Sequence, residues 1–169
     1  MTIDGKPLIL TARMDGTAQA FFNEQREAYF PADRNYLDAH LTLFHKLPEA
    51  QLVQIRDIIR NKCRQQTPMS ATAESLIFLG FGSGYKIDCA PLTDLRHNLA
   101  RDFKEWLTPQ DAQKFKPHVT IQNKVKAADA KALFAELDDR FAPFSFSITG
   151  LDLWYYMGGP WEHCAAFDF

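Results

Sequence analysis

The chain has 169 residues, of which 46% are hydrophobic and 24% are charged, and its formal net charge at pH 7 is -2. This length suits one well-packed domain, 1–169, and the apolar content argues against disorder. The near-neutral charge argues against a surface that grips a long polyanion, because nonspecific affinity for nucleic acid comes largely from counterions displaced by clustered Lys and Arg.

Hydrophobic spacing and turn residues predict an alternation of strands and helices. The first half is predicted to contain strand Leu8 to Arg13, a helix from its cap Asp15 to about Phe30, strand Ala39 to Leu47, a helix after Pro48 with the apolar stripe Leu52, Ile55, Ile59 and Cys63, and strand Pro68 to Leu79. The second half is predicted to contain strand Tyr85 to Ala90, a helix with the stripe Leu92, Leu95, Leu99, Phe103 and Trp106, strand His118 to Val125, a helix from about Ala127 to Arg140 around Leu133, Phe134 and Leu137, and strands Phe144 to Tyr156 and Glu162 to Phe169.

The predicted order, β-α-β-α-β-β-α-β-α-β-β, resembles one unit used twice. Strands separated by helices and by at least one tight hairpin indicate an α+β fold with helices covering the sheet. Gly80 to Gly84 is predicted to form that hairpin turn. The patch lacks the Lys-Ser/Thr pair of a P-loop and leads into a strand, so a nucleotide-hydrolysing motor is disfavoured.

Corresponding strands of the two halves carry matching tetrads, His40-Leu41-Thr42-Leu43 and His118-Val119-Thr120-Ile121. Residues i and i+2 of a strand project from the same face, so each strand presents one imidazole and one hydroxyl together. Two imidazoles can act as general base and general acid in one turnover, and hydroxyls can hold phosphate oxygens. A lone strand histidine is more often structural, and only the pairing with threonine favours a catalytic function.

Further side chains of the same two strand faces are candidates for substrate contacts. We expect Phe44 to stack on a base, and Lys116, Gln122 and Lys124 to contact the substrate, although a solvated strand face explains the lysines as well. His45 is offset from His40 by an odd number of residues, so we expect it on the opposite face.

The remaining aromatic residues and histidines have simpler explanations. His97 and His163 are interpreted as structural or surface residues, since no spacing supports a metal site. The segment Trp154-Tyr155-Tyr156, with Trp161 beyond it, fits core packing and a hairpin turn as well as base stacking at a cleft rim.

The paired tetrads and the run Phe115-Lys116-Pro117-His118-Val119-Thr120 resemble the 2H phosphoesterase superfamily, in particular the bacterial proteins named for 2'-5' RNA ligase. The resemblance covers the whole chain. It implies an α+β, bilobal fold with pseudo-two-fold-symmetric antiparallel sheets around a central cleft and helices on the outer faces. It also implies that His40 and His118 are catalytic, that Thr42 and Thr120 bind the phosphate, and that no metal or cofactor takes part.

The activity that the resemblance implies is hydrolysis of a 2',3'-cyclic phosphate at an RNA end or in a small cyclic nucleotide. One histidine would activate water and the other would protonate the departing ribose oxygen, but which does which is open. The choice between hydrolysis and 2'-5' ligation is also open. One alternative is a noncatalytic nucleotide- or RNA-end-binding module, and another is a scaffold that uses Trp154 to Trp161 as a partner surface.

Location and partners are predicted by default. Met1 to Leu10 has no apolar core of signal-peptide length, and nothing downstream approaches a membrane span, so a cytoplasmic protein without membrane contact is expected. Cys63, Cys89 and Cys164 are odd in number and widely spaced, which predicts reduced thiols. We expect a monomer with no obligate protein partner.

Overall fold

The computed structural model describes residues 5–169, so the first four residues of the Met1 to Leu10 segment lie outside the described part of the chain. The predicted order of strands and helices is confirmed. The elements are β1 (Leu8–Met14), α1 (Gly16–Tyr29), β2 (Leu41–Leu47), α2 (Leu52–Cys63), β3 (Met69–Phe78), β4 (Ser83–Asp88), α3 (Ala90–Asp102), β5 (His118–Gln122), α4 (Ala127–Arg140), β6 (Phe144–Tyr156) and β7 (Trp161–Asp168).

The helices form where an apolar stripe coincides with a capping or turn signal. The Asp15 carboxylate caps α1 by accepting from the Ala18 N–H at 2.8 Å, and its second oxygen accepts from the Ser147 N–H of β6 at 2.7 Å. Most of the predicted stripe residues are buried: Ile55, Ile59 and Cys63 of α2, Leu92, Leu95 and Leu99 of α3, and Leu133 and Leu137 of α4. The predicted residues Leu52, Trp106 and Phe134 are partly buried against the core. Burial of this apolar surface is the main stabilisation that these helices receive.

All strand pairs are antiparallel, and the strands form one 7-stranded sheet in the order β2-β1-β6-β3-β4-β5, with β7 added to β6. The 13-residue strand β6 is central to the sheet, because it pairs with β1, β3 and β7. Its first residues, Phe144 to Ile148, pair with β3, and its remaining residues, Gly150 to Tyr156, pair with β7 on the same edge. β1 occupies the other edge of β6.

The predicted duplication is visible in this topology. The succession β1-α1-β2-α2-β3 is repeated as β4-α3-β5-α4-β6, and the last strand of each unit pairs with the first strand of the other unit. We define the first lobe as β2, β1, β7 and the C-terminal part of β6, and the second lobe as β5, β4, β3 and the N-terminal part of β6. The predicted α+β fold with antiparallel sheets is confirmed, and the sheets of the two lobes are continuous through β6.

Helices of one repeat unit pack against strands of the other unit. α1 packs against β5 and β6, α4 packs against β3 and β4, and α2 contacts α3. Arg26 of α1 donates from Nη1 to the Thr120 carbonyl at 3.2 Å, so a helix of the first unit supports a strand of the second. Within residues 5–169 no helix combines the length and apolarity needed to cross a membrane.

The turn before β4 and the end of β5 both use unusual backbone conformations. Gly80 has a φ of 87° within the predicted hairpin, where Leu79 donates to the Gly82 carbonyl at 2.9 Å. β5 ends at Gln122, short of the predicted Val125, because Lys124 adopts a φ of 62° and turns the chain toward α4. Lys124 is therefore not on the strand face where it was predicted.

Candidate active-site cleft

β2 and β5, the first and last strands in the order β2-β1-β6-β3-β4-β5, approach each other, and a cleft of about 390 Å³ opens between them. The sheet is therefore curled, which brings both predicted tetrads to one cavity. The cavity is lined by Ile9, His40, Thr42, Leu43, His45, Arg96, Gln110, Asp111, Gln113, Lys114, Phe115, Lys116, His118, Thr120 and Trp161. A hollow of about 530 Å³ near the start of α1 is larger, but no histidine, lysine or arginine lines it.

The two tetrad histidines have the same local hydrogen bond. His40 Nδ1 lies 2.8 Å from the carbonyl oxygen of Asp38, and His118 Nδ1 lies 2.8 Å from that of Lys116. Because a carbonyl oxygen only accepts, Nδ1 carries the hydrogen in both rings. Nε2 of each ring is left to exchange a proton with a substrate. In both cases the acceptor lies two residues before the histidine, so the pseudo-symmetry extends to the side-chain tautomer.

His40 is half-buried, and its environment disfavours the charged form. Burial lowers the pKa of His40 to about 4, and the positive fields of Arg26, His45 and His118 act in the same direction, against the hydrogen bond to Asp38. The ring also contacts the Trp161 indole, with ring centres 4.5 Å apart. His40 is thus neutral at pH 7 and able to accept a proton.

Thr42 and Thr120 line the cavity beside the histidines, as the strand alternation predicts. Thr42 pairs with Thr11 of β1, whereas Thr120 pairs with Gly84 of β4. A Cβ on Gly84 would lie 2.5 Å from the Val119 carbonyl oxygen, so only glycine lets β5 approach β4 this closely. The packing of β5, and with it the position of His118, depends on this glycine.

A register shift follows the threonine in each tetrad strand. Leu10 and Thr11 are consecutive on β1, but their partners on β2, Phe44 and Thr42, are two residues apart. On β4, one step from Ser83 to Gly84 likewise spans two residues of β5, from Gln122 to Thr120. Each shift is a β-bulge, which interrupts the alternation of faces.

The bulges correct two predicted substrate contacts. Phe44 is 0% exposed, packs edge-on against Phe103 with ring centres 5.4 Å apart, and lies beneath the Arg96 guanidinium. Gln122 is 7% exposed and its Oε1 has no hydrogen-bond partner within residues 5–169. Neither side chain lines the cleft, because each is the second residue of its bulge and points into the core. Lys116 does line the cleft, and Lys124 does not.

The bulge in β2 also reverses the prediction for His45. A second register shift, between Leu10 and Leu8 of β1, lies opposite the stretch from Phe44 to Leu47, so strict alternation does not hold here. His45 lines the cleft together with His40 and Thr42. Its backbone N–H donates to both carboxylate oxygens of Asp111, at 2.8 and 3.0 Å, and its Nδ1 lies 3.1 Å from Oδ1.

Asp111 was not singled out in the sequence, since it lies in the segment between α3 and β5 and meets β2 only through the tertiary fold. It is 1% exposed and also accepts from the Lys46 N–H at 2.9 Å. Burial alone would raise the pKa of Asp111, but the hydrogen bonds from His45 and Lys46 outweigh it and hold that pKa below its ordinary value. Asp111 is therefore a buried carboxylate with its charge matched by neighbours.

Arg96 of α3 connects β2 to the segment that carries Asp111. It donates to the Leu43 carbonyl at 3.1 Å and to the Asp111 carbonyl at 2.6 Å. Lys114 and Lys116 follow in the chain and are exposed at the cleft. Lys116 was predicted to contact the substrate, whereas Asp111 and Lys114 lie in the irregular segment between α3 and β5, which has no periodic pattern that would reveal them.

The remaining histidines lie outside the cleft. His97 is exposed on α3, and His163 Nε2 lies 2.9 Å from Asp152 Oδ1 on β7 and β6. No group of three His, Cys, Asp or Glu side chains in residues 5–169 is arranged to hold a metal ion. Trp154 is held by a hydrogen bond from Nε1 to the Thr11 hydroxyl at 2.9 Å, while Trp161 forms part of the cleft wall.

Comparison with known proteins gives a family and a fold. Residues 14–160 match the sequence profile of the 2'-5' RNA ligase superfamily. No match was found among curated proteins.

Several crystal structures share the fold at low sequence identity. The structure of TT0787 from Thermus thermophilus has a TM-score of 0.72 at 18% identity, covering 96% of this chain and 97% of that one. Escherichia coli LigT complexed with 3'-AMP has a TM-score of 0.64 at 15% identity, covering 96% and 98%. A structure described as a phosphoesterase has a TM-score of 0.63 at 14% identity, covering 98% and 99%.

Proposed function

The chain belongs to the 2'-5' RNA ligase superfamily of 2H phosphoesterases, and we propose that it is a metal-independent phosphodiesterase that hydrolyses 2',3'-cyclic phosphates at RNA ends or in small nucleotides. The observation that carries the proposal is the pair of imidazole–threonine sets in one cleft, each with Nδ1 bound to a carbonyl and Nε2 left to act. Crystal structures of LigT complexed with 3'-AMP, ATP and NADP+ support a nucleotide-sized ligand for this fold.

The two histidines take different steps of the hydrolysis. Neutral His40 accepts a proton at Nε2 from a water molecule, whose oxygen forms a bond to phosphorus. The bond between phosphorus and one ribose oxygen breaks, and that oxygen takes a proton from Nε2 of His118. The product is a phosphomonoester with a free neighbouring hydroxyl, and the two imidazoles exchange their protons with solvent before the next turnover.

The threonines and a lysine stabilise the charge that develops on the phosphoryl oxygens. The Thr42 and Thr120 hydroxyls donate to the two nonbridging oxygens, and Lys116 adds a positive charge at the rim. Because these donors are fixed on neighbouring strands before the substrate arrives, little reorganisation is needed during the reaction.

An assay with chelator tests the proposal. Purified protein is incubated in EDTA with 2',3'-cyclic nucleotides and with a short RNA that ends in a cyclic phosphate, beside a His40→Ala/His118→Ala double variant and a His97→Ala control. Hydrolysis by the native protein and the control, with loss in the double variant, is expected. Nucleotide binding without turnover by the native protein would instead indicate the noncatalytic nucleotide- or RNA-end-binding module.

A further inference from the structure

We propose that His45, together with Lys114, forms a second phosphate-binding subsite, so that the cleft prefers a cyclic phosphate at the end of an RNA strand to a cyclic mononucleotide. This inference rests on the proposed function, because it names the substrate class of the same cleft. It adds a residue that lies outside both tetrads.

One edge of the His45 imidazole is held by Asp111, and the other edge is exposed to the cleft. Its Nδ1 lies 3.1 Å from a carboxylate oxygen of Asp111, and an ionised carboxylate only accepts, so Nδ1 carries the hydrogen. The Asp111 side chain is 0% exposed, whereas that of His45 is 46% exposed. The free edge of the imidazole, with Nε2, is therefore the part that a ligand in the cleft can reach.

Asp111 holds this imidazole firmly. It binds the His45 backbone and side chain at the same time, and Arg96 secures the Asp111 main chain at 2.6 Å. A histidine that only filled space in the core would not need a buried carboxylate at its inner edge and solvent at its outer edge. When the imidazole is protonated it donates through both nitrogens, one to Asp111 and one outward.

The cleft is lined by more basic side chains than the reactive phosphate alone would contact. Asp111 is the one acidic residue among the described residues that line the cavity, against the three cationic side chains of Arg96, Lys114 and Lys116 and three imidazoles. This positive balance is local, since the whole chain carries a formal charge of -2. The two tetrads and Lys116 serve the reactive phosphate, and the guanidinium of Arg96 is bound to backbone carbonyls. His45 and Lys114 remain without a role in that reaction.

The position of His45 along β2 fits a neighbouring phosphodiester. It lies three residues beyond Thr42, which is at most about 10 Å along a strand. An RNA strand whose cyclic phosphate sits at Thr42 and Thr120 can therefore run along β2 with its preceding phosphate near His45. A cyclic mononucleotide has no phosphate to place there.

Paired substrates test the subsite. We would measure kcat/KM for 2',3'-cyclic AMP and for the dinucleotide ApA with a terminal 2',3'-cyclic phosphate, using the native protein and His45→Gln. Glutamine keeps a donor for Asp111 but carries no charge. The native protein is expected to prefer the dinucleotide, and His45→Gln is expected to reduce that preference about tenfold, the effect of one charge-assisted hydrogen bond.

A matched control comes from β7, which pairs with β6. His163 also has a side chain that is 46% exposed and an aspartate at 2.9 Å, but it does not line the cleft. His163→Gln should leave the ratio between the two substrates unchanged. Lys114→Gln changes an exposed side chain and should lower the preference for the dinucleotide even if His45→Gln proves too unstable to purify.

The contrary outcomes are distinct. Equal losses on both substrates would mean that His45 acts at the reactive phosphate, and unchanged ratios in both cleft variants would mean that no second subsite exists; either result overturns the proposal. If the native protein hydrolyses neither substrate, the proposed function fails, and calorimetric binding of 3'-AMP and of 3'-phosphorylated ApA then tests the subsite alone. Tighter binding of the two-phosphate ligand, reduced in His45→Gln, would support it, and equal binding would overturn it.

Discussion

The two lobes present the same histidine and threonine to the cleft, but the strands that carry them differ beyond that point. Both strands bulge directly after the threonine and bury the next two residues. β2 then continues to Leu47 and returns His45 to the cleft, whereas β5 ends at Gln122 and turns away at Lys124. The symmetric part of the site thus suits the proposed hydrolysis, and the asymmetric part distinguishes one end of the cleft from the other.

The largest effect on activity is expected when the catalytic histidine of either lobe is removed. His40→Ala and His118→Ala should each lower kcat by about 10²-fold or more, because each removes one of two proton transfers. Steady-state kinetics on a cyclic nucleotide measures the loss, with His97→Ala as the control on an exposed helix position. Retention of full activity by either variant would mean that the lobes do not contribute equally to the chemistry.

Substitution of each threonine tests whether both lobes contribute a hydroxyl to phosphate binding. Thr42→Val and Thr120→Val keep the side-chain shape but remove the hydroxyl, so each should lower kcat/KM by about tenfold to a hundredfold. Thr72→Val on β3, half-buried away from the cleft, is the matched control. A loss in one lobe only would show that a single hydroxyl holds the phosphate.

The pH dependence of kcat/KM tests the assignment of His40 as the general base. His40 accepts a proton only when neutral, and its pKa is lowered to about 4, so kcat/KM should fall tenfold per pH unit only as the pH drops through about 4. An acidic limb that begins near pH 6.5 would contradict the assignment of His40 as the base. The same lowered pKa means that the stability contributed by neutral His40 is present above about pH 6.5 and is lost as the pH falls toward 4, so circular dichroism must accompany the kinetics.

A loss of stability is expected where the lobes differ in backbone packing. Gly84→Ala places a Cβ 2.5 Å from the Val119 carbonyl oxygen and should lower the free energy of unfolding by about 1–3 kcal/mol. Chemical denaturation measures this change. Gly16→Ala, where an added Cβ meets nothing within 4 Å, is the control and should be neutral or slightly stabilising. Equal stability of the two variants would remove the role assigned to Gly84.

The order of elements was predictable because each element carries its own local signal. Asp15 caps α1 as its position suggests, and the stripes of α2, α3 and α4 face the core. The continuity of the sheet through β6 was not predictable, because it depends on pairing between residues far apart in the chain. The limits of β5 were missed for a local reason, since a non-glycine residue with positive φ is rare.

The candidate site was predictable only as far as strand alternation holds. His40, Thr42, His118 and Thr120 lie within two residues of one another in each strand and reach the cleft together. Phe44 and Gln122 lie beyond a bulge, and His45 lies where β2 has a second register shift, so counting residues from the tetrad no longer predicts which face each one takes. Asp111 could not be found from spacing, because the feature that makes it notable is burial against a distant strand.

The long strand β6 has a consequence for synthesis of the protein. β1 and β3 both need β6 as a neighbour, yet β6 begins only at Phe144, so a nascent chain leaves the ribosome with two unpaired strand edges for most of its translation. Such edges readily join foreign strands. A chain arrested before β6 is therefore expected to depend on chaperones, and completion of this one strand closes both lobes together.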